Sequence, residues 1–239
     1  MTTLLRFLQA LGATFLLGAG ISASAAAEAI PSSGIGVNVT RIVIKADSMP
    51  SGNIVVSNNS RLNYLVKNRV LDFFTREPID TAIATPPVML MPVGRQSRVT
   101  VNVLSPDRLP TDRESLFLLE STAIPGTSKN GERQGNSIRL DFASVLKVYY
   151  RPRGISANMD DAIHDITWKR EDKELVVTNP SPLHVTFAVI RVNDKNEAEG
   201  LVLKPFESHR IPVENSGELN LEWRCVNDLG AVLREVRKF

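Results

Sequence analysis

Arg98–Val103 reads RVTVNV. In an extended chain Val99, Val101 and Val103 fall on one face, and Arg98, Thr100 and Asn102 on the other. Successive side chains of a strand point to opposite faces, so this alternation describes an antiparallel strand with one face buried and one wet. The same signal returns in short runs: Val37–Lys45, Asn53–Ser57, Tyr64–Phe74, Val88–Met91, Leu116–Ile124 and Ile138–Arg151. The turn-forming stretches SMPSGN, TPP, MPVG, SPDRLP and PGTSKNGERQGN separate them. Many short strands punctuated by Pro and Gly predict a β-sandwich, whereas a βαβ fold would interpose helices.

After Tyr150 the chain reads RPRGISANMD, where Pro152 and Gly154 break the strand and polar residues follow. A domain boundary is expected here. A second strand series begins near Asp165 and includes Leu175–Thr178, His184–Arg191, Leu201–Leu203 and Leu219–Cys225. A hairpin at Asn227–Gly230 then leads into Ala231–Val236. One short acidic helical turn, Asp160–Asp165, is expected, and no internal repeat or low-complexity tract is apparent. The reading is all-β, with an N-terminal domain over residues 30–153 and a C-terminal domain over 158–239. Each is the size of an immunoglobulin-type sandwich of about 100 residues.

The first thirty residues read differently. Arg6 precedes the apolar run LGATFLLGAGI, Leu11–Ile21, and the small residues SASAAAEA follow. The run is shorter than the roughly 20 residues of a membrane-spanning helix. The pattern is that of a secretory signal, residues 1–27, with a cut possible as late as Ala29. An N-terminal anchor is the competing reading, and no stop-transfer pattern supports it.

Composition closes several functional classes. Lys and Arg total 28 against 26 Asp and Glu, without the basic excess of a nucleic-acid binder. Cys225 is the only cysteine, so neither an intramolecular disulfide nor a paired-Cys zinc site can form. It shares the parity of Leu219, Leu221 and Trp223, as a core thiol would. His164, His184 and His209 lie far apart and in no zinc-binding spacing. There is no G-x-S-x-G elbow. Gly126–Gly131 has the glycine spacing of a phosphate loop, but Glu132 stands where its lysine belongs. Asp160 and Asp161 read as a solvated turn before they read as paired catalytic acids. An enzyme, a cofactor, a metal and a small-molecule substrate are not expected.

Two longer stretches are more specific. Leu109–Pro125 reads LPTDRESLFLLESTAIP, and Ile138–Pro152 reads IRLDFASVLKVYYRP. These resemble the periplasmic pilus chaperones of the chaperone–usher pathway. Further matches keep the family's order: Thr40–Arg41, ATPPVMLMPVG at Ala84–Gly94, VTNPSPLHVT at Val177–Thr186, LKPFES at Leu203–Ser208 and VNDLG at Val226–Gly230. The resemblance covers essentially all of the chain after the signal. Leu118, Glu120 and Ser121 depart from it, standing where family members usually carry an aromatic, an Asn and an aliphatic residue. The short loop between Ile124 and Ile138, with no flanking Cys pair, is similar to the branch that serves thicker, rod-forming pili.

The resemblance implies two immunoglobulin-like domains set as a boomerang, located in the periplasm. It implies pilin subunits and an outer-membrane usher as partners. A pilin lacking its last strand exposes an apolar groove and unpaired edges, and a donated strand satisfies both. Ile138, Leu140 and Phe142 alternate as such a donor must, with Arg139 and Asp141 opposite. Alternation alone favours an ordinary core strand, and the place of this run just before the matched Lys147–Pro152 segment turns the reading to a donor. Whether the free protein hides this face in a self-capping homodimer stays open. Arg41 interrupts NVTRIVI and Lys147 interrupts VLKVYY, and a cation inside a strand is costly to bury unpaired. The family likeness places both in the cleft between the domains, on the C-terminal carboxylate of the pilin. It also places Glu114, Arg151 and Asp228 in an ion network between the domains, where a surface pair is the plainer alternative. A structural or adhesive pilus component is the alternative function. Such a subunit carries a donor extension, for which AIPSSGIG at Ala29–Gly36 is short and rich in Gly and Ser.

Overall fold

A computed structural model describes residues 34–126, 140–213 and 217–239. The expected signal segment and Ile138 lie outside the described residues. Among those described, two hydrophobic cores form, one from residues between Ile42 and Tyr150, the other from residues between Met159 and Cys225.

Nine strands surround the first core: β1 (Ile35–Val37), β2 (Arg41–Lys45), β3 (Ser51–Asn58), β4 (Tyr64–Asp72), β5 (Ala82–Thr85), β6 (Val88–Met91), β7 (Gln96–Val103), β8 (Ser115–Pro125) and β9 (Phe142–Arg151). They make two sheets, in the orders β1-β3-β7-β5 and β2-β9-β8-β4-β6. Val99 and Val101 of β7 are wholly buried, as their alternation requires. The expected single strand Val37–Lys45 is instead two strands in different sheets. β1 pairs antiparallel with β3, residues 38–40 cross over, and β2 pairs parallel with β9. The crossing lets Ile42 and Ile44 enter the core from the second sheet. It also brings β2 against β3 at Gly52, where an added Cβ would overlap Ile42 Cγ2.

Around the second core lie α1 (Met159–His164), β10 (Thr167–Glu171), β11 (Glu174–Thr178), β12 (Val185–Val192), β13 (Lys195–Glu199), β14 (Val202–Leu203), β15 (Ser208–Pro212), β16 (Asn220–Val226) and β17 (Val232–Lys238). The sheets run β10-β11-β15 and β13-β12-β16-β17, with β14 also on β12. The acidic turn is a short helix. Asn158 caps it by accepting a 2.9 Å bond from the Asp160 amide, and Asp160 and Asp161 occupy its positive end.

One repeat escapes a reading by period. Asn58–Leu62 (NNSRL) and Asn179–Leu183 (NPSPL) form the same turn at equivalent places in the two domains. In each, the buried Asn amide donates to the Leu carbonyl and to a carbonyl of a later strand or turn, and its oxygen accepts from the Ser amide and hydroxyl. Every polar atom of the buried Asn side chain is thereby used.

Candidate functional site

β9 organises the site. On one side it pairs with β8 from Phe142 to Tyr150. On the other, β2 pairs only with Lys147–Arg151. Among the described residues nothing pairs with that side of Phe142–Leu146, so the strand presents an open edge of backbone donors and acceptors. Leu140 and Phe142 stand at this edge with 61% and 51% of their surface exposed. Phe142 has the parity of the buried Leu146, Val148 and Tyr150. The core row of β9 thus continues beyond its own sandwich, lining an apolar slot with Ile35, Val37 and Ala123.

The open edge ends at a pair of cations. Arg41 is the register partner of Lys147. Lys147 faces Leu118, and Leu118 faces Leu71, so the four lie in one row across the sheet on the face away from the core. Both cations reach the second domain. Arg41 Nη1 donates to the Asn227 carbonyl at 2.8 Å, and Lys147 Nζ donates to Thr186 Oγ1 at 3.2 Å. The Tyr149 hydroxyl shares that Thr186 oxygen, also at 3.2 Å. No acidic group among the described residues forms an ion pair with either cation. Arg41 Nε is buried without a partner. Burial first, then the like charges of Arg41 and Arg76, push the Lys147 ammonium down to about 8.

Four residues further along β9, on the same face, the charges are satisfied. Arg151 Nε meets Glu114 Oε2 at 2.8 Å, and its two terminal nitrogens hold Asp228 at 2.8 and 2.7 Å. Glu114 Oε1 accepts from the His184 amide at 2.9 Å and lies 3.1 Å from His184 Nδ1. Glu114 and Arg151 are almost wholly buried, and Asp228 sits on the β16–β17 hairpin. Burial opposes the Arg151 charge, but Asp228 and Glu114 outweigh it and raise its pKa.

The departing residues each find a local role. Leu118 is buried beside Lys147 in the row, Glu120 pairs with Arg69 at 2.8 Å, and the buried Ser121 faces Asn68. Cys225 is fully buried, and burial pushes its thiol well up. Asp160 is spent on the Asn227 side chain at 3.1 Å. Among the described residues no three metal-ligating side chains come together.

Thr186, Asn227, Tyr149 and His184 complete the cleft, and sequence reasoning singled out none of them for it. Thr186 and Asn227 lie inside the matched segments VTNPSPLHVT and VNDLG, which was the available signal. Phe73 and Phe74 carried none. Lys147 Nζ lies 5.5 Å from the Phe73 ring centre, and Lys204 Nζ lies 4.3 Å from that of Phe74.

Comparison with known proteins fits this geometry. Residues 34–156 match the N-terminal PapD domain of the pili and flagellar-assembly chaperones, and residues 161–236 match the C-terminal domain of the pili assembly chaperone PapD. The chain is 29% identical to the chaperone protein PsaB of Yersinia pestis, covering 84% of this chain and 82% of that one. It is 26% identical to the chaperone protein FimC of Escherichia coli strain K12, covering 83% and 81%. Its fold is similar to the structure described as the Salmonella enterica SafA pilin in complex with the SafB chaperone. The TM-score there is 0.74 at 22% identity, over 87% of this chain and 96% of that one. The E. coli chaperone DraB gives a TM-score of 0.72 at 23% identity, over 87% and 98%. With two immunoglobulin-like sandwiches and both family domains matched in order, the chain belongs to the PapD-type pilus-assembly chaperones.

Proposed function

We propose that this chaperone binds pilin subunits through the open edge of β9 and the Arg41–Lys147 pair, and delivers them to an outer-membrane usher. The subunit's exposed groove takes Leu140 and Phe142, with Ile138 continuing the face. Its last strand pairs with the edge at Phe142–Leu146. Its C-terminal carboxylate sits on Arg41 and Lys147. We place the protein in the periplasm, with residues 1–27 removed and sandwiches at 30–153 and 158–239, acting by stoichiometric binding and not by catalysis. The Glu114–Arg151–Asp228 network holds the angle between the domains.

The observation that carries this reading is the coincidence of two unmet demands at one place. A strand edge without a partner ends where two partly buried cations have no acid among the described residues. An extended chain ending in a carboxylate meets both, because charge-assisted bonds at its terminus fix the register of the whole strand. A structural pilus component is not favoured, because these features serve a guest strand.

The test uses the C-terminal strand peptide of the pilin that co-purifies with the protein. Wild type should bind the free acid and lose most of that affinity for the amide. Lys147→Ala and Arg41→Ala should bind both forms weakly and equally, and their losses should not add in the double variant, because either contact alone cannot fix the register. Equal wild-type affinity for acid and amide overturns the anchor.

A further inference from the structure

We infer that Phe73 and Arg76, in the turn after β4, extend the anchor: one aromatic ring holds Lys147 and Arg76, and Arg76 acts as a third cation toward the bound carboxylate. The inference rests on the anchor reading and adds two residues to it. Arg76 Cζ and Lys147 Nζ each lie 5.5 Å from the centre of the Phe73 ring. The two charges are therefore within about 11 Å of each other, close to the distance at which salt screens exposed charges. A ring shared by two cations is attracted to both, while the cations repel one another. That arrangement is least favourable with the cleft empty and relaxes when an anion arrives.

The turn is built to hold this position. Asp72 Oδ1 accepts from the amides of Phe74 and Thr75, both at 2.8 Å, and the Arg76 amide donates to the Asp72 carbonyl at 3.1 Å. Arg76 is held at a φ of +64°, a left-handed conformation that a bulky residue adopts only under such constraint. Phe74 meets Phe73 edge-on at 4.9 Å and reaches Lys204 and His184 of the second domain. The backbone of the turn is thus clamped at both ends, and the exposed Arg76 side chain lies over the Phe73 ring.

The turn itself carries two acids, Asp72 and Glu77, and neither forms an ion pair with Arg76 among the described residues. β2 contributes Arg41, β9 contributes the neutral Tyr149, and β12 contributes only the Thr186 hydroxyl. Across the cleft, Glu114 and Asp228 are bound to Arg151. Among the described residues Arg76 forms no ion pair. Its charge, after burial and Arg41, also lowers the Lys147 pKa.

The experiment compares the free acid and amide of the same pilin C-terminal peptide on wild type, Arg76→Gln, Arg76→Lys and Phe73→Leu. Arg76→Gln should weaken the free acid by roughly three- to tenfold, as expected for one cation at this range, and leave the amide unchanged. Arg76→Lys should restore most of the loss, and Phe73→Leu should fall between. The pH above which acid binding declines should rise in Arg76→Gln, since one of the charges depressing Lys147 is gone, and a purely structural residue would not move it. Arg76 is exposed, so its replacement leaves no cavity, and matching thermal melts check this. If wild type discriminates acid from amide and Arg76→Gln discriminates equally well, the third cation is overturned while the anchor stands. If wild type does not discriminate, the anchor falls and this inference falls with it.

Discussion

Arg151 and Lys147 project from the same face of β9 into the same cleft, yet their surroundings are opposite. Arg151 is buried between two carboxylates, and every nitrogen of its fork has an acceptor. Lys147 is partly buried, meets one hydroxyl, and has two further cations near it. Desolvating a charge is costly wherever it occurs. At Arg151 the fold supplies the compensation itself, through Glu114 and Asp228. At Lys147 and Arg41 it supplies only a carbonyl and a hydroxyl, with no acid among the described residues. A charge neutralised by its own chain reads as a structural element, and under the proposal above a partly buried charge without an acid is where the guest carboxylate sits.

The largest expected effect separates the two. Arg151→Ala removes the shared partner of Glu114, an acid with almost no solvent access. Breaking a buried pair from one side costs about 3–5 kcal/mol, because the remaining charge stays buried without its cation, here with only the His184 contacts left to it. Lys147→Ala removes an uncompensated cation and should cost under about 1 kcal/mol, if anything. Chemical denaturation of both variants reads the difference directly. Equal destabilisation would erase the distinction between a satisfied and an unsatisfied cation.

A second contrast runs along the strand itself. Leu140 stands free of the sandwich, whereas Leu146, six residues on, is buried in it. Leu140→Glu should therefore melt like wild type. It should weaken pilin binding by about 2–3 kcal/mol, since a carboxylate would have to enter an apolar groove. A drop in melting temperature would instead make Leu140 part of the protein's own core.

How far the sequence reaches is visible at the same residues. Alternation in Arg98–Val103, and its recurrence between Pro- and Gly-rich turns, is enough for two β-sandwiches, because burial on one face of a strand has a period that can be read locally. Cys225 and the helical turn near Asp160 follow from parity and capping in the same way. The split of Val37–Lys45 does not, because apolar residues on both sides of the crossing satisfy one continuous pattern. Nor does the register that sets Arg41 opposite Lys147: parallel pairing between distant strands leaves no mark in either segment. Their family positions suggested a joint role, and the missing acid emerged only once Thr186, Asn227 and Phe73 were in place around them. The aromatic turn at Phe73–Phe74 looked like the end of a strand, because contact with another domain has no local signature.

The smallest effect is the dependence of binding on pH. Lys147 titrates near 8, below the ordinary 10.5 of a lysine, chiefly through burial and then through Arg41 and Arg76. The sign follows from linkage. Between about 8 and 10.5 the unfolded chain holds a proton at this site that the fold has released, so this residue makes stability rise with pH across that window. Below about 8 both states carry the proton, and its contribution is flat. Carboxylate binding runs the other way. It requires the ammonium, so affinity should be constant below about 8 and then fall, by at most about tenfold per unit, until the pKa of the complex is reached. Burial raises the Tyr149 hydroxyl above its ordinary range, so the decline in this window is assigned to Lys147. The amide peptide should show no such decline. Lys147→Arg should abolish it for the free acid while keeping binding, because a guanidinium does not lose its proton there. Titration calorimetry from pH 7 to 9.5, about the span over which Lys147 changes charge, reads both curves. A decline that persists in Lys147→Arg would assign the dependence to another group and leave Lys147 as a cation whose burial the fold tolerates without use.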